Sequence, residues 1–156
     1  MSRLNHGAES AELIKKFAET VYTKTSVDPV IKNLMEIRAS QMNGCTFCVD
    51  MHVKEAKIRG ERELRLHHVA VWRESKLFTD KERAALEWTE LVTRLSPTGI
   101  SDQDYERALT HFSKKELSDL TFLIGFINVW NRVNVAFHGE PGTLDKFYGL
   151  DKAGLN

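Results

Sequence analysis

The strongest constraint on the fold of this chain is a repeated signal for the start of a helix. A hydroxyl residue followed three positions later by an acid occurs at Thr79…Glu82, Ser101…Asp104 and Ser113…Glu116. In this pattern the hydroxyl accepts a free backbone N–H of the first turn, and the acid can bond back to the cap. Asp28-Pro29 is a fourth start, because proline at the first helical position loses no hydrogen bond. The chain is therefore expected to be mainly helical.

Apolar residues between these starts recur at helical spacing, as in Leu13, Phe17 and Val21. No period-2 run of β-branched residues indicates a strand, so no sheet is predicted. Turn-forming residues separate the segments, and the tail after Gly139 has no helical period. We predict an all-α bundle of about seven helices, over residues 10–25, 28–42, 45–59, 62–73, 80–95, 102–111 and 114–137.

The charge balance argues against polyanionic partners. Lys and Arg total 22 and Asp and Glu total 22, so no net field attracts nucleic acid or an anionic membrane. The first ten residues are polar and unlike a secretory signal, and no run approaches the roughly 18 apolar residues of a membrane helix. We expect one domain over residues 1–156 in the cytoplasm, where two close cysteines indicate catalysis or metal binding more than a permanent disulfide.

Cys45, Cys48 and His52 form the candidate reactive group. Asn43-Gly44 ends one predicted helix and the next begins near Cys45. At about 100° per residue, the two sulfurs and the imidazole share an arc of about 60° on that helix. Cys48 and His52 are at i and i+4, where side chains are neighbours.

This arrangement suits thiol redox chemistry. The free N–H groups of a first helical turn stabilise a thiolate, and a nearby histidine can accept or deliver a proton. A second cysteine can close a disulfide on a sulfenic acid and protect it from further oxidation. A carboxylate would orient His52. Glu36 on the preceding helix is the first candidate, Asp50 and Glu55 are others, and helical phasing places Asp50 away from the sulfurs.

The segment from Glu36 to His52, EIRASQMNGCTFCVDMH, resembles the core motif of the alkylhydroperoxidase D-like (AhpD-like) branch of the carboxymuconolactone decarboxylase family. The segments WRES from Trp72, ERAALEWTE from Glu82 and NVWNR from Asn128 are similar to the same branch. The likeness spans about residues 28–137.

The resemblance implies an all-helical fold, a homo-oligomer (dimer, trimer or hexamer) and reduction of organic hydroperoxides, with no cofactor. By the family pattern Cys48 attacks the peroxide, Cys45 resolves it, His52 moves the proton and Glu36 orients His52. An external dithiol donor, which the sequence does not identify, then reduces the disulfide. The chain has Asn33 where well-known members carry the relay glutamate, and Phe47 where they carry a histidine between the cysteines.

Four other interpretations remain open at this point. The cysteines and His52 could bind a metal with His67, His68 or His111 as a fourth ligand, since structural zinc takes four. The pair could instead be a non-catalytic redox sensor, or the chain could resemble the lactone decarboxylases of the family, which generally lack the pair. Buried structural cysteines are the simplest alternative.

A further polar group on the last long helix is expected to cap it or to form a hydrogen-bond network at a subunit interface: Asn128, Asn131, Arg132 and Asn134.

Overall fold

A computed structural model describes residues 9–155 of the protein, which form eight α-helices and two 3₁₀ turns and contain no strand. The helices are α1 (Glu9–Lys24), α2 (Pro29–Asn43), α3 (Thr46–Ile58), α4 (Glu63–His68), α5 (Asp80–Thr93), α6 (Asp102–Leu109), α7 (Lys114–Ala136) and α8 (Asp145–Tyr148). The all-α prediction is confirmed. Residues 1–8 and Asn156, which the one-domain expectation includes, lie outside the described residues, as does most of the polar N-terminal segment.

Two predicted segments differ from the structure. The predicted helix 62–73 is α4 followed by a 3₁₀ turn at Val69–Val71. The tail, where no helix was predicted, contains α8 and a 3₁₀ turn at Leu150–Ala153. Elements of four residues are too short to show a hydrophobic period; the 3₁₀ turn packs against α3, and α8 packs against that turn.

The predicted helix caps are largely confirmed. Thr79 with Glu82 and Ser113 with Glu116 form complete capping boxes at α5 and α7. At α6 the Ser101 hydroxyl accepts the N–H of Asp104, but the acid accepts the hydroxyl proton rather than the backbone N–H of Ser101. Asp28 accepts the N–H of Val30 before α2.

Helix α2 is central and packs against α3, α5 and α7. Met35 belongs to one buried cluster with Leu120 and Ile124 of α7. Leu34 and Ile37 belong to a second cluster, which reaches α3 and α5. With apolar contacts on both faces, α2 is enclosed by α3, α5 and α7. Its charged residue Glu36 is therefore removed from water.

None of the helices within residues 9–155 combines the length and the apolar character needed to cross a bilayer.

Candidate active site

The site begins at the turn between α2 and α3. Gly44 ends α2 with φ of 67°, a left-handed conformation that glycine adopts without the steric cost of a Cβ. Cys45 follows as the N-cap of α3, and its Sγ accepts the N–H of Cys48 at 3.3 Å. A sulfur therefore takes the place at this helix start that a hydroxyl or carboxylate oxygen usually takes.

Cys45 and Cys48 form a disulfide within the first turn of α3, with their Cα atoms 5.3 Å apart. The helical phasing predicted that the two sulfurs would lie together. Cys45 is 1% exposed and Cys48 2%, so both sulfurs lie behind other atoms. A reagent can reach them only through a local opening.

His52 lies one turn after Cys48 and turns its Nδ1 toward two carboxylates. Nδ1 is 2.8 Å from Oε2 of Glu55, a hydrogen bond within α3. It is also 3.5 Å from Oε2 of Glu36, which comes from α2. Glu36 thus lies beside His52, as the sequence suggested, but the shorter contact belongs to Glu55. The ring's other nitrogen, Nε2, lies on the edge away from both acids.

Glu36 is fully buried and carries contacts on both sides of its carboxylate. Oε1 accepts the hydroxyl of Tyr22 at 2.8 Å and lies 3.8 Å from the Lys32 ammonium. Oε2 has no hydrogen bond and faces His52. Tyr22 comes from α1, and the sequence analysis missed it because nothing in the chain's spacing shows that α1 meets α2 at this point.

The pKa values follow from this arrangement. Burial alone would lower the pKa of His52, but the charge of Glu36 and the hydrogen bond of Glu55 outweigh it and raise the pKa above its usual range. Burial would raise the pKa of Glu55, but its hydrogen bond to His52 lowers it. Burial and the neighbouring Glu36 charge raise the pKa of Tyr22, which stays a neutral donor. His52 is therefore stabilised as an imidazolium.

The remaining candidates lie elsewhere. Asp50 pairs with Lys54 and accepts the backbone N–H of Gly142. Asn33, at the position where better-known relatives carry a relay acid, accepts a hydrogen bond from Arg59 at 2.7 Å. Phe47 lines a cavity beside Cys45.

The donor atoms close enough to share a cation are not those of the cysteine and histidine set considered in the sequence analysis. In the part of the chain that the structure describes, one atom from each of Glu36, His52 and Glu55 lies within 4.8 Å of the others. Such a set has the oxygen and nitrogen donors that a divalent ion accepts. The Lys32 ammonium already lies 3.8 Å from Glu36 and would compete with a cation. Cys45 and Cys48, the sulfur ligands of the alternative metal site, are bonded to each other.

Buried amides connect α2 to α7 near the site. Asn43 donates to the side-chain oxygens of Asn128 and Asn131, both at 2.9 Å. Asn131 is completely buried and donates to Ser40 at 3.0 Å, and Asn128 donates to Thr93 at 3.1 Å. The hydrogen-bond network expected of these residues exists, but it lies inside one subunit.

The comparisons with known proteins concern the family and the fold. The sequence profile of the Carboxymuconolactone decarboxylase family matches residues 8–91. The chain belongs to this family. It is 39% identical over 116 residues to the uncharacterized protein YdfG of Bacillus subtilis (strain 168). The aligned region covers 74% of this chain and 79% of YdfG.

One solved structure at 36% identity places the chain in the AhpD-like branch of the carboxymuconolactone decarboxylase family, and a second shows the same fold. ATU0492 from Agrobacterium tumefaciens, a protein of unknown function provisionally described as the antioxidant defence protein AhpD, superposes with a TM-score of 0.86 and 36% identity. The match covers 92% of this chain and 99% of ATU0492. A peroxidase-related protein with an alkylhydroperoxidase AhpD core from Ralstonia eutropha JMP134 has the same fold, with a TM-score of 0.79, 19% identity and coverage of 88% and 73%.

Two other segments that carry the family likeness hold α2 in place. Trp72 donates through its indole N–H to Glu90 of α5 at 2.8 Å. Arg38 of α2 donates to the same carboxylate at 2.7 Å. These hydrogen bonds fix the helix that carries Glu36 against α5, so the likeness of these segments reflects architecture rather than reaction chemistry.

Proposed function

We propose that this protein is a cysteine-based hydroperoxide reductase that cycles through the Cys45–Cys48 disulfide. The observation that supports it most directly is the combination of that disulfide with an imidazolium-favouring His52 one helical turn further on. A buried disulfide by itself could be structural. A disulfide at a helix N-terminus with a charged histidine one turn further along the same helix has the groups that peroxide reduction needs.

The proposed first step is attack of the Cys48 thiolate on one peroxide oxygen. The O–O bond breaks, Cys48 becomes a sulfenic acid, and the leaving alkoxide takes a proton to become an alcohol. Cys48 is the third residue after the Cys45 N-cap, so the N-terminal end of α3 favours its negative charge. His52 supplies the proton, with Nδ1 held by the carboxylates and Nε2 as the donating edge.

In the proposed second step the Cys45 sulfur attacks the Cys48 sulfenic acid. A disulfide forms and water leaves, so the peroxide has received two electrons from two thiols. A dithiol donor then returns two electrons to the disulfide. The cycle needs a reducing supply of thiols, which is why we also propose that the protein works in the cytoplasm.

We propose distinct roles for the carboxylates around His52. Glu55 orients the ring by its 2.8 Å hydrogen bond, and Glu36 supplies the second negative charge that favours the imidazolium. Tyr22 holds Glu36 from the other side. With Lys32 and His52 both charged, two cations balance two carboxylates in this buried group, which lowers the cost of removing each from water.

The experiment is peroxide turnover with cumene hydroperoxide and dithiothreitol, followed by mass spectrometry of the cysteines. The wild type should consume peroxide over many cycles, and Cys48→Ser should abolish consumption. Without dithiothreitol, Cys45→Ser should consume one equivalent of peroxide and carry a sulfenic acid on Cys48. Full activity of Cys48→Ser would contradict the proposal. Formation of one disulfide without turnover would identify a redox sensor instead.

We further propose that the subunits form a homo-oligomer. An apolar groove, defined by Ile14, Phe17, Phe122, Phe126 and Val129, runs between α1 and α7. Phe17 is 50% exposed and Phe122 61%. Contiguous exposed apolar surface of this kind is typical of a protein–protein contact, and a second copy would cover it.

A further inference from the structure

A cavity of about 350 Å³ opens beside the first turn of α3. Cys45 lines it, together with Thr46 and Phe47, while Cys48 is not among its lining residues. The opposite wall is the end of α7 and the segment that follows, including Val135 and His138. The cavity therefore lies on the Cys45 side of the disulfide.

The far wall of the cavity is built by a sharp turn after α7. His138 has φ of 55°, an uncommon conformation for a residue with a side chain. At Gly139 a Cβ would lie 2.4 Å from Oδ1 of Asn134, so a larger residue there would require the Asn134 side chain to move. Gly142 then donates its N–H to Asp50 of α3 at 3.2 Å. These contacts hold the wall against the helix that carries the disulfide.

We infer that this cavity is the binding site of the thiol that reduces the disulfide, and that this thiol attacks Cys45. The inference depends on the proposed function, because only a cycling disulfide needs a reductant. Thiol–disulfide exchange requires the attacking sulfur to reach a disulfide sulfur directly. Both sulfurs are at most 2% exposed, and Cys45 is the one that lines the cavity.

The exchange balances in two steps. The donor thiolate bonds to Cys45 Sγ, the Cys45–Cys48 bond breaks, and Cys48 leaves as a thiolate. A second donor thiolate then attacks the donor sulfur of the mixed disulfide, which releases Cys45 as a thiolate that takes up a proton. Two donor thiols become one disulfide, and the protein disulfide gains the two electrons. A sulfur with a low pKa leaves faster, and the N-terminal turn of α3 stabilises Cys48 as that leaving group.

The dimensions of the cavity select the class of donor. Its volume of about 350 Å³ is at the lower end of the range for small-molecule sites, roughly 300–1,000 Å³. The polar groups of Asn134 and His138 lie on its wall. A low-molecular-weight thiol with a polar body fits such a space, and this is the class of donor that the geometry favours over a folded protein dithiol.

The first test fills the cavity and measures disulfide reduction. The disulfide is formed with diamide instead of peroxide, so the readout does not depend on peroxidase activity. Val135→Trp places an indole in the opening, and Thr46→Trp fills it from the other wall if the first variant does not fold. We expect the rate of reduction by dithiothreitol to fall at least tenfold in either variant. Val30→Trp, the same change at an exposed valine of α2, should leave it unchanged.

A second test identifies which sulfur exchanges. The oxidised wild type is treated with 2-mercaptoethanol, a monothiol, and the mixed disulfide is trapped by blocking the released thiol with N-ethylmaleimide. Peptide mass spectrometry should place the mercaptoethanol on Cys45 and the N-ethylmaleimide on Cys48, in at least tenfold excess over the reverse arrangement. An excess of mercaptoethanol on Cys48 would overturn the inference, as would reduction of both cavity-filled variants at the wild-type rate. Two results with thioredoxin would together also overturn the inference. Thioredoxin would have to reduce the wild type faster than dithiothreitol does at equal concentration, and it would have to reduce Val135→Trp as fast as the wild type.

These outcomes are separable from failure of the proposed function. If the wild type consumes no peroxide but Cys45 exchanges selectively through the cavity, the peroxidase proposal fails and the thiol site stands. If peroxide turns over but the cavity-filled variants are reduced normally, the peroxidase proposal stands and the thiol site fails.

Discussion

Oε2 of Glu55 lies 2.8 Å from Nδ1 of His52 on the same helix, and this hydrogen bond fixes which edge of the imidazole faces the acids. The two residues are three positions apart, so one turn of α3 is enough to build the contact. Glu36 adds its charge from α2 at 3.5 Å. The protonation of His52 thus depends on one acid from its own helix and one from a neighbour.

Glu55→Gln should lower the pKa of His52 toward its usual range, because the neutral amide removes the charge that holds the imidazolium. If His52 is the proton donor, peroxide turnover at neutral pH should fall about tenfold or more. The measurement is an NMR titration of the His52 ring, with peroxide kinetics beside it. Glu63→Gln, which alters an exposed acid paired with Lys57, is the matched control. An unchanged His52 titration in Glu55→Gln would rule out this role for the hydrogen bond.

Stability should depend on pH through His52. Its pKa is raised in the folded protein above the ordinary value of 6.5, so folding favours the protonated ring. The resulting stabilisation is fully present below about pH 6.5 and is lost as pH rises through the folded-state pKa. Urea unfolding of the wild type should therefore show a decline above pH 6.5 that His52→Gln lacks. Parallel pH profiles for the two proteins would show that the contacts do not couple protonation to folding.

Asn131→Ala should destabilise the fold by about 1–3 kcal/mol, because the buried Ser40 hydroxyl loses its donor and the Asn43 amide loses one of its two acceptors. Asn131 is 0% exposed and accepts from Asn43 while donating to Ser40. Urea unfolding measures the loss. Gln103→Ala, an amide removed from an exposed position of α6, should change the free energy of unfolding by less than about 0.5 kcal/mol. A loss at Asn131 no larger than at Gln103 would contradict the energetic role of the network.

Phe17→Asp should dissociate the proposed oligomer, because a carboxylate in the groove between α1 and α7 cannot be desolvated without a partner. Light scattering after size exclusion should give a multiple of 17.9 kDa for the wild type and a smaller mass for the variant. Phe147→Asp changes a 79% exposed phenylalanine of α8 outside the groove and should leave the mass unchanged. A monomeric wild type would refute the proposed assembly.

The sequence predicted best what is encoded over a few residues. The boxes at Thr79 and Ser113 mark helix starts because every group in them lies within one turn. The shared face of Cys45 and Cys48 follows from helical phasing for the same reason. Ser101 shows the limit of the pattern, since an aspartate's shorter side chain bonds the hydroxyl instead of the cap's N–H.

What the sequence did not predict depends on contacts between distant segments. Tyr22 reaches Glu36 because α1 crosses α2, and no spacing within either helix indicates that crossing. The wall beside Cys45 comes from residues about ninety positions later in the chain. Helix α8 is too short to be recognised and is held by the ion pair of Asp145 with Lys54 at 2.6 Å.

The buried amides between α2 and α7 have a consequence for how these helices are aligned. Apolar side chains can slide past one another by a turn and still pack, whereas directional hydrogen bonds from Asn43 to Asn128 and Asn131 are satisfied at one axial register only. Helix α2 carries Glu36, and α7 leads into the wall of the cavity beside Cys45. The position of Glu36 along the helix axis relative to the cavity wall is therefore set by the uncharged amides of Asn43, Asn128 and Asn131, which have no acid–base role of their own.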